Sequence, residues 1–337
     1  MGSRCGATMV WAVLALAAAT LGYSAVSRFD PTRTPGLRDT ATYYGMVRNG
    51  LQQSDERSNS RVLVPVLARL LYLAINGRTG TWDPAGVSLL AVNATFCATC
   101  AWLLWRIAGR LGGGQGWGLV AALLWLVNFA VSNGQLSGLV DSGEALAMMV
   151  AITALMAGRW SAVPAIIVVG ALAKETFVPL AAAFAGSWAA AENAPSWPAK
   201  SARLAWVGAG AVMGLGVVLS IRWGVSGQLM LPWEFVSSEK GPLNPMVAIV
   251  RDLTSRGFWY VLLWLLPLGL VRVRRFSHAW LAASVAAALV AVLLGGWRNS
   301  EGNVARALFT CTGPILTLSA AHFLADVRSS DEASSVA

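Results

Sequence analysis

The residues able to do chemistry in this sequence are acids and bases placed near the ends of apolar runs. The first is Asp39, within Arg-Asp-Thr-Ala-Thr-Tyr-Tyr (Arg38 to Tyr44). Tyr43 follows it by four residues, on the same face if the stretch is helical, with Tyr44 beside it. A carboxylate in a partly shielded pocket can take the proton of an attacking hydroxyl. Asp before Thr-Ala-Thr-Tyr also suits a helix N-cap, and spacing alone favours the cap. Asp141-Ser-Gly-Glu144 has the form of a capping box opening an apolar run, although two carboxylates there could also hold a metal. Lys174-Glu175 interrupts apolar sequence between two short segments. Charge at such a break is common at sites in membrane proteins, and a local ion pair at a helical hairpin is the plainer reading. Arg298 and Arg306, with Glu301 between them, bracket the last polar connection. Together with Arg61 they offer planar forks that fit a phosphate, or side chains that snorkel to an interface. One acid and several cations at the ends of separate runs suit an anionic lipid-phosphate donor and an acceptor hydroxyl.

The elements that must position these residues are apolar. Of 337 residues, 56% are hydrophobic and 12% charged, about half the charge of an ordinary soluble domain. The expected fold is all-α, a polytopic transmembrane helical bundle. A net charge of +9 has no basic, aromatic-interleaved soluble module to carry it, which argues against a nucleic-acid partner; anionic headgroups or a lipid phosphate fit better. Cys97 and Cys100 form a C-x-x-C inside an apolar run and read as packing. His278 and His322 both fall toward the inner side, leaving no Ser-His-Asp or zinc set. The run Gly112-Gly113-Gly114-Gln115-Gly116 lacks the Gly-Lys-Ser/Thr ending of a phosphate loop.

About ten membrane segments are expected: Ala7–Val26, Pro84–Trp105, Trp117–Val131, Gly143–Ala157, Ala162–Ala173, Phe177–Ala190, Leu204–Ile221, Phe258–Val271, Ala279–Leu294 and Ala305–Leu324. Several are shorter than the ~20 residues of a full crossing. The first reads as an uncleaved span rather than a signal peptide. Between it and the next lies a polar loop, 27–76, closed by an amphipathic run from Arg61 to Asn76 whose arginines and length favour a helix lying in the interface. Arginines and lysines fall in every second connection (Arg106 and Arg110, Arg159, Lys200 and Arg203, then Arg272, Arg274 and Arg275). Short basic loops stay cytoplasmic, which places the 27–76 loop outside with Asp39, Asp141, Lys174 and Arg306. Residues 1–325 form one transmembrane domain, and 326–337 a disordered cytoplasmic tail.

Four short motifs carry a resemblance: Asp39 in D-T-A-T-Y-Y of the first outer loop, Arg61-Val-Leu-Val-Pro65 after it, Gly170-Ala-Leu-Ala-Lys174-Glu175 in a short helical pair, and a late Arg306 ahead of Pro314. In these and in layout the chain resembles the GT-C superfamily of multi-pass glycosyltransferases, which use polyprenyl-phosphate-linked sugars. The resemblance implies a bacterial inner-membrane, cell-envelope hexosyl- or pentosyltransferase, with its active site on the extracytoplasmic side. A polyprenyl-phosphate sugar donor and a glycan or lipid acceptor would be its partners, and transfer would invert configuration. Asp39 would be the general base; Arg61, Lys174, Arg298 and Arg306 would neutralise the donor phosphate. Tyr43, Tyr44, Glu175, Asp141, Glu144 and Glu301 would support the acceptor or the structure. Thr40 stands where an Asp-Glu pair is common, so no metal or other cofactor is expected. No large C-terminal soluble domain follows, which leaves acceptor recognition to the Arg222–Gly257 loop or a partner. A transporter or lipid-carrier flippase is the alternative, motivated by the broken 162–190 pair though without a two-fold repeat of spans. A non-catalytic membrane subunit, its charges merely capping helices, is a third.

Overall fold

A computed structural model describes residues 2–28, 38–51, 59–112, 114–193, 196–227, 229, 244–298 and 303–334, with backbone alone at the outermost positions of several helices. Every regular element among the described residues is helical. That is the expected solution for apolar chain in a membrane, where each backbone N–H and C=O must be satisfied within its own segment.

Among the described residues five helices are long and apolar enough to cross a membrane. They lie within α1 (Gly2–Arg28), α4 (Pro84–Arg110), α9 (Trp197–Ser226), α13 (His278–Arg298) and α14 (Asn303–Ser334). Two bent pairs raise the number to seven. The first is α5 (Gln115–Val127) followed by a π and a 3-10 turn through Ser137, bent by 44°; the second is α11 (Arg256–Leu262) with α12 (Leu265–Arg272), bent by 40°. The remaining three apolar runs form helices too short to cross by length alone: α6 (Asp141–Met156), α7 (Val163–Ala173) and α8 (Phe177–Ala191). All ten runs are therefore helical, and five to seven have the length of a span.

Local chemistry explains the breaks. Asn128 ends α5: its amide donates to the Val261 carbonyl at 2.9 Å and its side-chain oxygen accepts the Ala130 N–H at 2.9 Å. An inserted side chain of this kind is an ordinary cause of a kink, and a π turn follows over Ala130–Gly134. Between α7 and α8 the chain reverses at Lys174, whose backbone is extended. Gly170 makes the reversal possible, since a Cβ there would lie 2.1 Å from the Phe177 ring.

The described residues of the polar loop include two short helices, α2 (Arg38–Asn49) and α3 (Leu63–Ile75). Arg69 on α3 donates to the carbonyls of Val47 and Arg48 at 2.9 Å each, satisfying the last turn of α2. With 13 residues, α3 buries Val64, Pro65 and Ala68 and leaves Leu70 and Leu73 exposed. Arg61 precedes this helix rather than opening it. At the far end of the chain α14 continues to Ser334, through residues expected from sequence to be a disordered tail from 326. A short α10 (Pro245–Leu253) packs beside α13 and α14, its buried Asp252 accepting the Val304 N–H at 3.1 Å.

Candidate active site

The N-terminal ends of α3, α6 and α14 and the C-terminal end of α7 meet at one end of the bundle, and charged side chains expected from sequence on the outer side meet with them. Gly143 permits the approach: a Cβ there would lie 2.9 Å from the Ala173 Cβ and 3.3 Å from Val64. Lys174 Nζ reaches Asp141 Oδ1 at 2.6 Å and Glu144 Oε2 at 3.4 Å. The other Asp141 oxygen takes Arg306 Nη1 at 3.1 Å. Thr176 donates to Glu144 Oε1 at 3.0 Å. Arg61 forms a two-pronged pair with Glu175, Nε and Nη2 donating at 2.9 and 2.8 Å, and its Nη1 donates to the Tyr43 hydroxyl at 2.9 Å. Three cations and three carboxylates are thus interleaved, and apart from Arg306, 23% exposed, their side chains are almost wholly buried. Buried charge is tolerated only when paired this fully.

Two features of the network differ from the sequence reading. Asp141 and Glu144 do not form a capping box: the cap position is Val140, with no side-chain cap bond, and both carboxylates face cations. Nor do Lys174 and Glu175 pair with each other; they are bound to α6 and to Arg61 respectively.

Asp39 lies in the first turn of α2, one turn before Tyr43. It is half-buried, and among the described residues it has no hydrogen-bond or ion-pair partner. The Tyr43 one turn on is the residue whose hydroxyl accepts from Arg61. Burial pushes the Tyr43 phenol above its ordinary value against the pull of Arg61, so it remains neutral. Burial alone would lower Arg61, but Glu175 and Tyr43 outweigh it and hold the guanidinium charged. The neighbouring Tyr44 belongs to a separate contact, with Arg48 over its ring at 4.8 Å and Arg48 on Asp83 at 2.6 Å. Arg298 ends α13 with its side chain outside the described residues, and Glu301 lies outside them altogether.

No protein-family model, no curated protein and no solved structure matches this chain.

Several supports of the site escape a reading by charge alone. Arg222, buried near the end of α9, donates through Nε to Ser60 at 3.3 Å and so ties that helix to the link carrying Arg61. Ser142 donates to Asn93, buried on α4. The Thr40 hydroxyl donates to the Ser137 carbonyl at 3.3 Å, docking α2 on the turn after the π segment. Gly138 in that turn has φ +94°, and a Cβ there would come within 3.0 Å of Thr40. The one available signal was a polar residue inside an apolar run, as at Asn93 and Asn128. Among the described residues no set of three or more His, Cys, Asp and Glu side chains is grouped as metal ligands. Cys97 is buried with its thiol 3.3 Å from the Gln135 side-chain oxygen, and Cys100 is buried and free.

Proposed function

We propose that the protein is a membrane glycosyltransferase of GT-C-like layout, moving a sugar from a polyprenyl-phosphate donor to an extracytoplasmic acceptor hydroxyl. The observation that carries this reading is the convergence of Arg61, Lys174 and Arg306 from distant parts of the chain, with an acid, Asp39, one helical turn from the Tyr43 that Arg61 binds and without a cation of its own among the described residues. In the proposed step Asp39 takes the acceptor proton as the hydroxyl oxygen bonds the anomeric carbon. The bond from that carbon to the phosphate oxygen breaks on the opposite side, and the electron pair leaves with the polyprenyl phosphate. Configuration inverts.

The network assigns unequal parts to the cations. The fork of Arg61 already holds Glu175 and Tyr43, and Lys174 is enclosed between two carboxylates, so these two shape the site and its field. Arg306 is the most accessible, at 23% exposure, and is best placed to receive a phosphate oxygen. Arg298 would join it from the end of α13. In this reading the short helices α6 to α8 complete a count of about ten membrane segments, in an inner membrane with the network on the outer side.

The test is transfer from a panel of polyprenyl-phosphate hexoses and pentoses in membranes carrying the full chain. Wild type should release polyprenyl phosphate and form product, and Asp39→Asn should lose about 10² to 10⁴ of that rate, the usual worth of a general base. Undiminished transfer by Asp39→Asn rejects the base assignment. The same buried charges on a broken helix pair would also suit an ion-coupled transporter; uptake into proteoliposomes without covalent product would establish that instead.

A further inference from the structure

The opposite, basic end of the bundle carries a second feature. A cavity of about 710 Å³ runs between α4, α6 and α7. Its walls are regular helical stripes: Phe96, Leu103 and Arg110 recur every seven residues on α4, and Val150 belongs to the stripe on α6. The Thr153 hydroxyl on that wall is turned onto the Met149 carbonyl at 2.8 Å, leaving the lining apolar. From Gly143 to Ala157 the groove follows α6 for about 21 Å at 1.5 Å per residue. That exceeds the roughly 15 Å hydrocarbon depth of one leaflet.

The basic end of the groove is bordered by Arg110 and Arg159, both exposed. Arg110 also borders an adjoining cavity of about 320 Å³ that includes Arg106. Among the described residues no carboxylate lines either cavity and none pairs with these three arginines. Three of the other basic residues expected on this side are paired, Arg203 with Glu192 at 2.8 Å and Arg272 and Arg275 with Asp326 at 3.1 and 3.7 Å; Arg110 and Arg159 differ from the rest in bordering the apolar groove. Three arginines without counter-charges at the mouth of a long apolar groove are complementary to a lipid with an anionic head.

We propose that this groove holds one acyl chain of an anionic phospholipid from the leaflet at the basic end, its phosphate held by Arg110 and Arg159. The groove reaches Gly143 beside the ion network, but the proposal rests on its basic end and not on the network or on the glycosyl-transfer reading. Its chemistry is that of a resident membrane lipid, drawn from the bilayer rather than from free phosphate.

The experiment is native mass spectrometry of the delipidated full chain in detergent, titrated with phosphatidylglycerol or phosphatidylcholine. Wild type should retain phosphatidylglycerol at least about tenfold more tightly, and millimolar inorganic phosphate should not displace it. Replacing Arg110 and Arg159 together with Gln should remove about fivefold per arginine, the ordinary worth of a basic residue at an anionic surface. Val150→Trp, which fills the groove and leaves the arginines in place, should also weaken binding, with helix content and elution volume checking the fold. Equal retention of the two lipids overturns the proposal without any variant. So does a preference that survives loss of both arginines, displacement by phosphate, or undiminished binding to Val150→Trp.

Discussion

Removing Glu175 tests whether the ion network holds the polar loop onto the membrane helices. The pair it makes with Arg61 has side chains only 10% and 9% exposed and two donor contacts. Breaking a buried pair by deleting one partner leaves an uncompensated charge and typically costs 3–5 kcal/mol. Glu175→Ala should fall near the lower limit, about 3 kcal/mol, because Arg61 keeps the Tyr43 hydroxyl as an acceptor. That is more than a hundredfold in the unfolding equilibrium. Glu175 has further contacts outside the pair, so the pairwise part needs a double-mutant cycle with Arg61→Met and Glu175→Leu. The double variant should return to within about 1 kcal/mol of wild type, since apolar replacements of a buried pair are often neutral or stabilising. The assay is reversible unfolding of the detergent-solubilised chain by increasing denaturing detergent, followed by tryptophan fluorescence. A coupling below about 0.5 kcal/mol would mean additive effects and would refute the idea that Arg61 and Glu175 act as one unit.

Two further outcomes follow from other contacts. Gly170→Ala places a Cβ 2.1–2.7 Å from three atoms of the Phe177 ring; overpacking of about 1–3 kcal/mol should outweigh the ~1 kcal/mol gain in helix propensity, lowering the thermal midpoint, with partial recovery on adding Phe177→Leu. Burial would raise the Asp83 carboxyl, but the Tyr44 hydroxyl, the Gly86 N–H and Arg48 together hold it below its ordinary value. Its contribution is therefore present above the usual carboxylate range and is lost as pH falls through the lower folded value. With the pair 44% and 30% exposed, screening keeps this under about 1 kcal/mol. A thermal-midpoint scan down to about pH 3 should show a small acid step that Asp83→Asn, which can still cap α4, removes.

Much of this architecture was legible in the residues themselves. All ten apolar runs are helical because an apolar environment offers no other partner to the backbone, and no knowledge of neighbours is needed to see that. The amphipathic α3 and the break at Lys174 were readable in the same way, from local pattern. The charges at the ends of the apolar runs were also identifiable as a set, since their cost at membrane depth demands some compensation. What a local pattern could not decide was which charge compensates which. Lys174 and Glu175 are neighbours in sequence, yet the extended backbone at Lys174 sends successive side chains to opposite sides, one to Asp141 and Glu144, the other to Arg61. Asp141 and Glu144 carry the spelling of a capping box, but with Val140 at the cap position their carboxylates turn to the cations that α7 and α14 bring within reach. Helix formation is written in runs of a dozen or more residues and survives any packing. Partner choice among buried charges depends on distances of 2.6–3.4 Å between side chains as far apart in the chain as Asp141 and Arg306, and only the packed helices set those.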